Sequence, residues 1–113
     1  MATDDEQALA NLRKGVVEPA LLALLRDREL YGVELAQRLN ALGLIAGEGS
    51  LYPLLARLRA AGLVAYRTEV ASRGRPRQYY SLTDDGRASL DAFARLWAPF
   101  SRNVTALIEG GRA

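Results

Sequence analysis

Cysteine and histidine are both absent from this 113-residue chain. Without cysteine there is no disulfide framework and no thiolate metal site. Without histidine the chain lacks the commonest metal ligand and the commonest general base. The adjacent acids Asp84 and Asp85 do not form an acid/base pair across a cleft. The sequence therefore predicts no metal, no cofactor and no catalytic residue, and an enzyme is not expected.

Long apolar runs are also lacking, and none approaches the length of a membrane span. The acidic N-terminal segment is unlike a signal peptide. A chain of this length is expected to form one domain with at most one appended helix. We therefore expect a soluble cytoplasmic protein with no membrane partner.

Net charge is small, at +2, but it is unevenly distributed. Residues 1–62 carry seven cations and eight anions, and residues 83–113 carry four of each. Residues 63–82 carry four arginines, Arg67, Arg73, Arg75 and Arg77, against one acid. A local basic patch of this kind is typical of nucleic-acid binding.

The segment from Gly47 to Leu63 predicts one short helix with a marked start and end. Ser50 is expected to cap the helix through its hydroxyl, and Pro53 lies in the first turn, where no backbone bond is lost. Gly62 suits the left-handed position that ends a helix. One face of this helix is apolar, and it consists of Leu51, Leu54, Leu55, Leu58 and Ala61. The other face is small and lightly polar, which suits a DNA groove, although an ordinary amphipathic helix has the same pattern.

Three more helices are predicted before it. The first runs over about residues 4–12, is too short to stand alone and is expected to end at Gly15. The second, Val16 to Leu25, is apolar on nearly all sides, with Pro19 in its first turn. The third runs from Val33 to Leu42. Its predicted inner face consists of Val33, Leu35, Ala36, Leu39 and Leu42.

After Gly62 the periodicity changes to that of β-strands. Residues 63–70 alternate in polarity, and residues 78–82 form a second β-rich run. The loop between them, residues 71–77, contains three arginines and no acid. The two strands predict a hairpin. Folding alone does not require a loop of this charge, which favours DNA contact over a merely flexible, solvated loop.

The last helix is predicted to begin after Thr83 and to reach Ile108. Its apolar residues recur at spacings of 3, 4, 3, 4 and 3, which is typical of a helix that packs along another helix. These residues are Leu90, Phe93, Trp97, Phe100, Val104 and Leu107. We expect this stripe to form a homodimer; the alternative is that it folds back on the first two helices.

The order of elements, three compact helices and then a hairpin with a basic tip, predicts a winged helix-turn-helix. The fold class is mainly α with a small β-hairpin. Residues 1–82 would form the DNA-binding domain, and residues 83–113 would form the C-terminal dimerisation helix.

Several of these segments also resemble the PadR family of bacterial transcription regulators. They are Leu30–Leu35, Gly49–Leu58, Ala61–Val64 and Gly74–Gly86, in family order within about residues 15–86. The Gly-Ser-Leu-Tyr-Pro helix start and the Arg-Pro-Arg-Gln-Tyr-Tyr-Ser-Leu-Thr wing are individually specific. The single long last helix resembles the short subgroup of that family, in which this helix makes the dimer.

The resemblance implies a dimeric transcription factor, usually a repressor, that binds a pseudo-palindromic operator in double-stranded DNA. Family effectors include phenolic acids and flat aromatic drugs, and some short members bind them between the dimerising helices. Ligand pockets vary across the family, so no particular effector carries over.

The predicted DNA contacts lie on the recognition helix, the wing and the preceding helix. They are Gly49, Ser50, Tyr52, Pro53, Arg57, Arg73, Gly74, Arg75, Arg77, Tyr31 and Gln37. The alternative interpretation of Tyr31 is an aromatic residue of the core. For Tyr80, the core role is the preferred interpretation. An effector would be clamped by stacking on Phe93, Trp97 and Phe100, whose alternative role is plain interface core. The alternative function is a winged-helix module that binds protein or a small ligand without DNA.

Overall fold

The computed structural model describes residues 4–70 and 74–110 and, within them, four α-helices and three β-strands. The helices are α1 (Asp4–Leu24), α2 (Gly32–Ala41), α3 (Leu51–Ala60) and α4 (Asp84–Ile108). The strands are β1 (Leu30–Tyr31), β2 (Val64–Glu69) and β3 (Arg77–Leu82), and a short 3-10 turn, Glu48–Ser50, precedes α3. The predicted fold class, mainly helical with a small β-hairpin, is confirmed.

Helix α1 is a single helix, so the prediction of two helices separated at Gly15 is wrong. Pro19 lies inside it rather than in a first turn. A proline there removes one backbone bond, the one that would reach the Gly15 carbonyl. Burial of Leu21 and Leu22 in the core offsets that loss, and the helix continues. Its N-terminal half is less covered, and Leu12 is 68% exposed.

Helix α2 buries Leu35, Ala36 and Leu39, as predicted, but Val33 and Leu42 are exposed. The helix ends one residue earlier than expected, and Gly43 follows at φ +76°. The amides of Gly43 and Leu44 donate to the carbonyls of Asn40 and Leu39 at 3.0 and 2.9 Å. This is a Schellman motif, and it turns the chain toward α3.

The hairpin predicted from the alternating residues is confirmed, and it belongs to an antiparallel sheet of order β1-β3-β2. Strand β2 pairs with β3 from Val64↔Leu82 to Glu69↔Arg77. Strand β1 adds the pair Leu30↔Tyr80. The sequence did not indicate β1, because two residues are too few to show alternation.

The core lies between the helices and the inner face of the sheet. Its buried apolar residues are Leu21, Leu22, Leu25, Leu30, Leu35, Ala36, Leu39, Ile45, Leu51, Leu54, Leu55, Leu58, Val64, Tyr80 and Leu90. Leu90 is 4% exposed, so its predicted place in a dimer seam is wrong: it attaches α4 to the core of its own chain. The predicted start of α4 is confirmed, since the Thr83 hydroxyl accepts from the Gly86 amide at 2.9 Å.

Candidate nucleic-acid interface

Helix α3 presents one open face to solvent. Leu51, Leu54, Leu55 and Leu58 are buried, whereas Tyr52, Pro53, Ala56 and Ala60 are exposed. Ala61, which the helical wheel placed on the inner face, is exposed just past the end of the helix. The open face carries small residues at its centre, so the helix backbone can approach a DNA groove closely.

The two ends of α3 differ in how well the sequence predicted them. Gly62 has φ +78°, and the amides of Gly62 and Leu63 donate to Arg59 and Leu58, so the predicted glycine stop is confirmed. The predicted Ser50 cap is wrong. Ser50 has helical backbone angles at the end of the 3-10 turn, and its hydroxyl caps no amide among the described residues. Gly49 and Ser50 are both exposed at the start of α3.

The wing places two of the three predicted arginines in solvent. Arg75 and Arg77 are exposed, and within the described ranges neither forms an ion pair with an acid. The Arg77 guanidinium lies 5.1 Å from the centre of the Tyr31 ring, a cation–π contact. Gly74 has φ +97°. Arg73 lies outside the described residues.

A groove of about 850 Å³ separates the wing from the helices, and we call it the wing groove. It is lined by Tyr31, Gly32, Val33, Tyr52, Thr68, Arg75, Pro76, Arg77, Gln78 and Tyr80. It thus brings together Tyr31, Tyr52, Arg75 and Arg77, four predicted contacts from three separate parts of the sequence. Tyr31 is half-buried, and its ring contacts the Tyr79 ring in a tilted arrangement with centroids 5.8 Å apart, so it packs on the sheet and also lines the groove.

Tyr80 has the core role preferred for it. It is 6% exposed, and its hydroxyl donates to the Gln78 side chain at 3.0 Å. Burial raises the pKa of its phenol above the ordinary value. Gln37, the remaining predicted contact, is exposed on α2 and is not among the residues that line the wing groove.

On the other side of α3 lies a second groove of about 410 Å³, which we call the α1–α3 groove. It is lined by Ala10, Arg13, Lys14, Val17, Leu44, Ile45, Ala46, Ser50, Pro53, Leu54 and Arg57. Arg13 donates to the Gly43 carbonyl at 2.8 Å and so ties α1 to the turn before α3. Sequence reasoning missed Arg13 and Lys14. Their adjacency was a signal, but a helix thought to stop at Gly15 did not place them beside α3.

Arg57 points toward this second groove and is not free. Its Nε and Nη2 atoms both donate to Oε2 of Glu18, at 2.9 and 2.6 Å. The pair remains accessible, with the two side chains 62% and 40% exposed. Glu18 was not among the predicted site residues, because only the packing of α1 against α3 brings it there.

Arg67 does not belong to the basic patch to which its sequence position assigned it. It pairs with Glu29, in the turn before β1, and with Glu69 at 2.8 Å. These contacts lower the pKa of Glu29 and raise that of Arg67. The available wing charge therefore belongs to the tip of the hairpin and not to the body of its strands.

The aromatic residues of α4 lie beside α1. Phe93 and Trp97 stack with ring centroids 5.6 Å apart and planes at 18°. With Phe100 they line a groove of about 740 Å³, the α1–α4 groove, whose α1 side is formed by Asn11, Leu12, Gly15 and Val16. Phe100 and Leu107 are each 64% exposed. The three predicted effector residues are thus brought together, and the seam is half-buried at Phe93 and exposed from Trp97 onward.

Two negative findings bound the chemistry of the described residues. They contain no group of three acidic, histidine or cysteine side chains placed to hold a metal ion. No helix formed by residues 4–70 or 74–110 combines the length and apolarity that crossing a bilayer requires.

Comparison with known proteins agrees with this architecture. A transcriptional regulator of Mycobacterium tuberculosis, Rv3488, is 33% identical over 96 residues, covering 85% of this chain and 89% of that protein. A PadR-like transcriptional regulator from Bacillus cereus is 36% identical, with a TM-score of 0.77 over 87% of this chain and 96% of that one. PadR of Bacillus subtilis, whose structure contains operator DNA, is 30% identical, with a TM-score of 0.64 over 70% of this chain and 47% of that one.

The family model for the transcriptional regulator PadR-like family matches residues 21–92, from α1 into α4. This range includes α3, the wing and the buried anchor Leu90. The chain therefore belongs to the PadR-like family of transcriptional regulators, which are not enzymes.

Proposed function

We propose that this chain is a dimeric repressor that binds a pseudo-palindromic operator and is released from it by a flat aromatic effector. The observation that carries the DNA-binding part is the alignment of two surfaces. The open face of α3 and the exposed wing arginines border one groove. The operator complex of the relative from Bacillus subtilis supports the same role here.

In this proposal α3 enters the major groove with Gly49, Ser50, Tyr52 and Pro53 leading. Arg75 and Arg77, with Arg73 and Gly74, follow the backbone or enter the minor groove. Contacts of this kind add affinity more than sequence choice. Tyr31 and Gln37 would touch phosphates from the side of α2. Two copies related by a two-fold axis would read half-sites about one helical turn apart.

The dimer part rests on the open seam of α4. The side of α4 that carries Phe93, Trp97, Phe100, Val104 and Leu107 is only partly covered by α1. Trp97 and Val104 are 44% and 41% exposed, and Phe100 and Leu107 are each 64% exposed. A contiguous apolar stripe on a soluble chain marks an interaction site. Residues 83–113 would then form the dimerisation helix and residues 1–82 the DNA-binding domain.

The effector part rests on the α1–α4 groove. Its stacked Phe93 and Trp97 rings offer a flat apolar surface. Helix α1 borders this groove through Gly15 and Val16 and contacts α3 through Glu18. A ligand that shifts α1, or that changes the angle at which two α4 helices cross, would move the recognition helices. Binding of the effector would therefore weaken binding of the operator, and the reverse.

Salt dependence tests the DNA-binding part. Affinity for the fragment upstream of the chain's own gene, measured by fluorescence anisotropy, should fall steeply as salt rises. Replacing Arg73, Arg75 and Arg77 by Ala should lower the slope by about one for each lost phosphate contact. The matched control replaces Arg87, Arg95 and Arg102 of α4 by Ala and should keep the slope. A slope that the wing variant leaves unchanged would favour a winged-helix module that binds protein or ligand without DNA.

The single tryptophan provides the test of the effector part. Phenolic acids and planar heteroaromatic dyes are screened for quenching of Trp97 fluorescence and for a rise in the melting temperature. A true effector should also release the operator fragment, and Trp97→Ala should abolish both the rise and the release. An equal rise in wild type and variant would place the ligand elsewhere and contradict this part of the proposal.

A further inference from the structure

The Glu18–Arg57 contact uses only one edge of the arginine. A guanidinium offers two pairs of parallel N–H donors, one along Nε and Nη2 and one along Nη1 and Nη2. Glu18 Oε2 accepts from Nε at 2.9 Å and from Nη2 at 2.6 Å. The end-on edge, formed by Nη1 and the second N–H of Nη2, is not used by this contact.

The position of Arg57 on α3 makes that free edge relevant to DNA. Arg57 lines the same groove as Pro53 and Ser50, which lie about one and two helical turns nearer the start of the helix. It therefore borders the open face on the side of α1, whereas Tyr52 borders it on the side of the wing. Its side chain is 62% exposed, so the free edge is accessible to a base or a phosphate.

We infer that Glu18 is a positioning residue for operator recognition: it holds Arg57 by one edge so that the other edge reads a guanine in the major groove. A bidentate contact to the O6 and N7 acceptors of guanine requires the planar fork in a fixed orientation. Fixing that orientation before binding removes part of the side-chain entropy that an unrestrained arginine would lose. This inference rests on the proposed DNA-binding function and deepens it.

Two simpler roles for Glu18 make different predictions. An ion pair as exposed as this one contributes little to stability, so loss of fold is not the expected result of removing it. A carboxylate beside DNA repels phosphates, so removing it would strengthen binding to every sequence alike. The positioning role predicts instead a change in sequence discrimination, carried through Arg57.

The experiment compares two duplexes, one selected from a randomised pool by the wild-type chain and one with the same bases shuffled. The measured quantity is the dissociation constant for the shuffled duplex divided by that for the selected duplex, at one salt concentration. Glu18→Met keeps the side-chain length and removes the acceptor; it should lower this ratio by on the order of tenfold. Glu18→Gln keeps one weaker acceptor and should lower it less. Asp91→Asn, on the exposed surface of α4, makes the same change of charge and should leave the ratio unaltered.

A double-mutant cycle shows whether Glu18 acts through Arg57. Arg57→Lys keeps the charge but loses the fork, so it should lower the ratio about as much as Glu18→Met, and the two together should cost no more than either alone. Additive losses, an unchanged ratio, or equal tightening on both duplexes would each overturn the inference. These outcomes leave operator binding by the wild type intact. A wild-type chain that selects no duplex would instead overturn the proposed function itself.

Discussion

Gly86 is the residue whose replacement the packing tolerates least among the described glycines. A Cβ there would overlap the Leu63 carbonyl oxygen and come within 2.7 Å of the Leu82 side chain. The first turn of α4 can therefore lie against the end of α3 and the sheet only because this position has no side chain. Gly86 is part of the motif that carried the family resemblance, but the sequence alone did not show what the glycine is for.

Replacing two glycines by alanine should change stability in opposite directions. Gly86→Ala should lower the free energy of unfolding by about 1–3 kcal/mol, because the backbone of residue 63 must move. Gly15→Ala lies inside α1 with nothing within 4 Å of the new Cβ, and it should raise stability by about 0.5–1 kcal/mol. Urea denaturation followed by circular dichroism measures both. A neutral Gly86→Ala would show that α4 does not pack this closely.

At the scale of the element, arginine contacts attach the hairpin to α3 and to the turn before β1. Arg67 of β2 pairs with Glu29, at the turn before β1, and lies 4.7 Å from the centre of the Tyr79 ring. Arg59 of α3 lies 4.0 Å from the ring centre of Tyr66. The two arginines thus make similar ring contacts, but only Arg67 also forms ion pairs with carboxylates.

That difference predicts a specific dependence on pH. Because Arg67 lowers the pKa of Glu29 below its ordinary 4.5, the carboxylate stabilises the fold above that value, and this stabilisation is lost as the pH falls through the lowered pKa. Arg67→Met should therefore reduce the loss of unfolding free energy below about pH 4.5. Arg59→Met, which removes only a ring contact, should keep the wild-type pH profile. Parallel profiles for all three proteins would contradict the prediction.

Residue periodicity was sufficient to predict some helices and strands and was not sufficient for others. The two faces of α3 followed from residue spacing, because one face is buried and the other is exposed. Alternation also predicted strand β2, in which Val64 is buried and Tyr66 half-buried but Thr68 is exposed. Helix α1 was divided wrongly at Gly15 and Pro19, since both residues weaken an isolated helix and only the packing of Leu21 and Leu22 shows that this helix continues. The same error concealed Arg13, Lys14 and Glu18, which lie on the side of α1 that faces α3.

At the scale of the whole molecule, the exposed seam of α4 requires a partner in our proposal. Trp97→Asp places a carboxylate in the stripe and should convert dimers into monomers, because burying an unpaired charge is costly. Light scattering over a range of concentrations measures the molar mass. Arg102→Asp puts a carboxylate on the opposite face of α4 and should leave the dimer intact. A Trp97→Asp protein that remains dimeric would show that the chains associate elsewhere.

The sequence by itself determined the order of the elements from α2 to α4, the two faces of α3, the basic tip of the wing and the family resemblance. These depend on residues close together in the chain, where spacing and turn chemistry are sufficient. Only the tertiary structure decided which charges are available. Arg67 is paired with acids, Arg75 and Arg77 are exposed, and Arg57 is held by Glu18. Partners 38 and 39 residues apart meet only when the core has formed, and no local pattern records that contact.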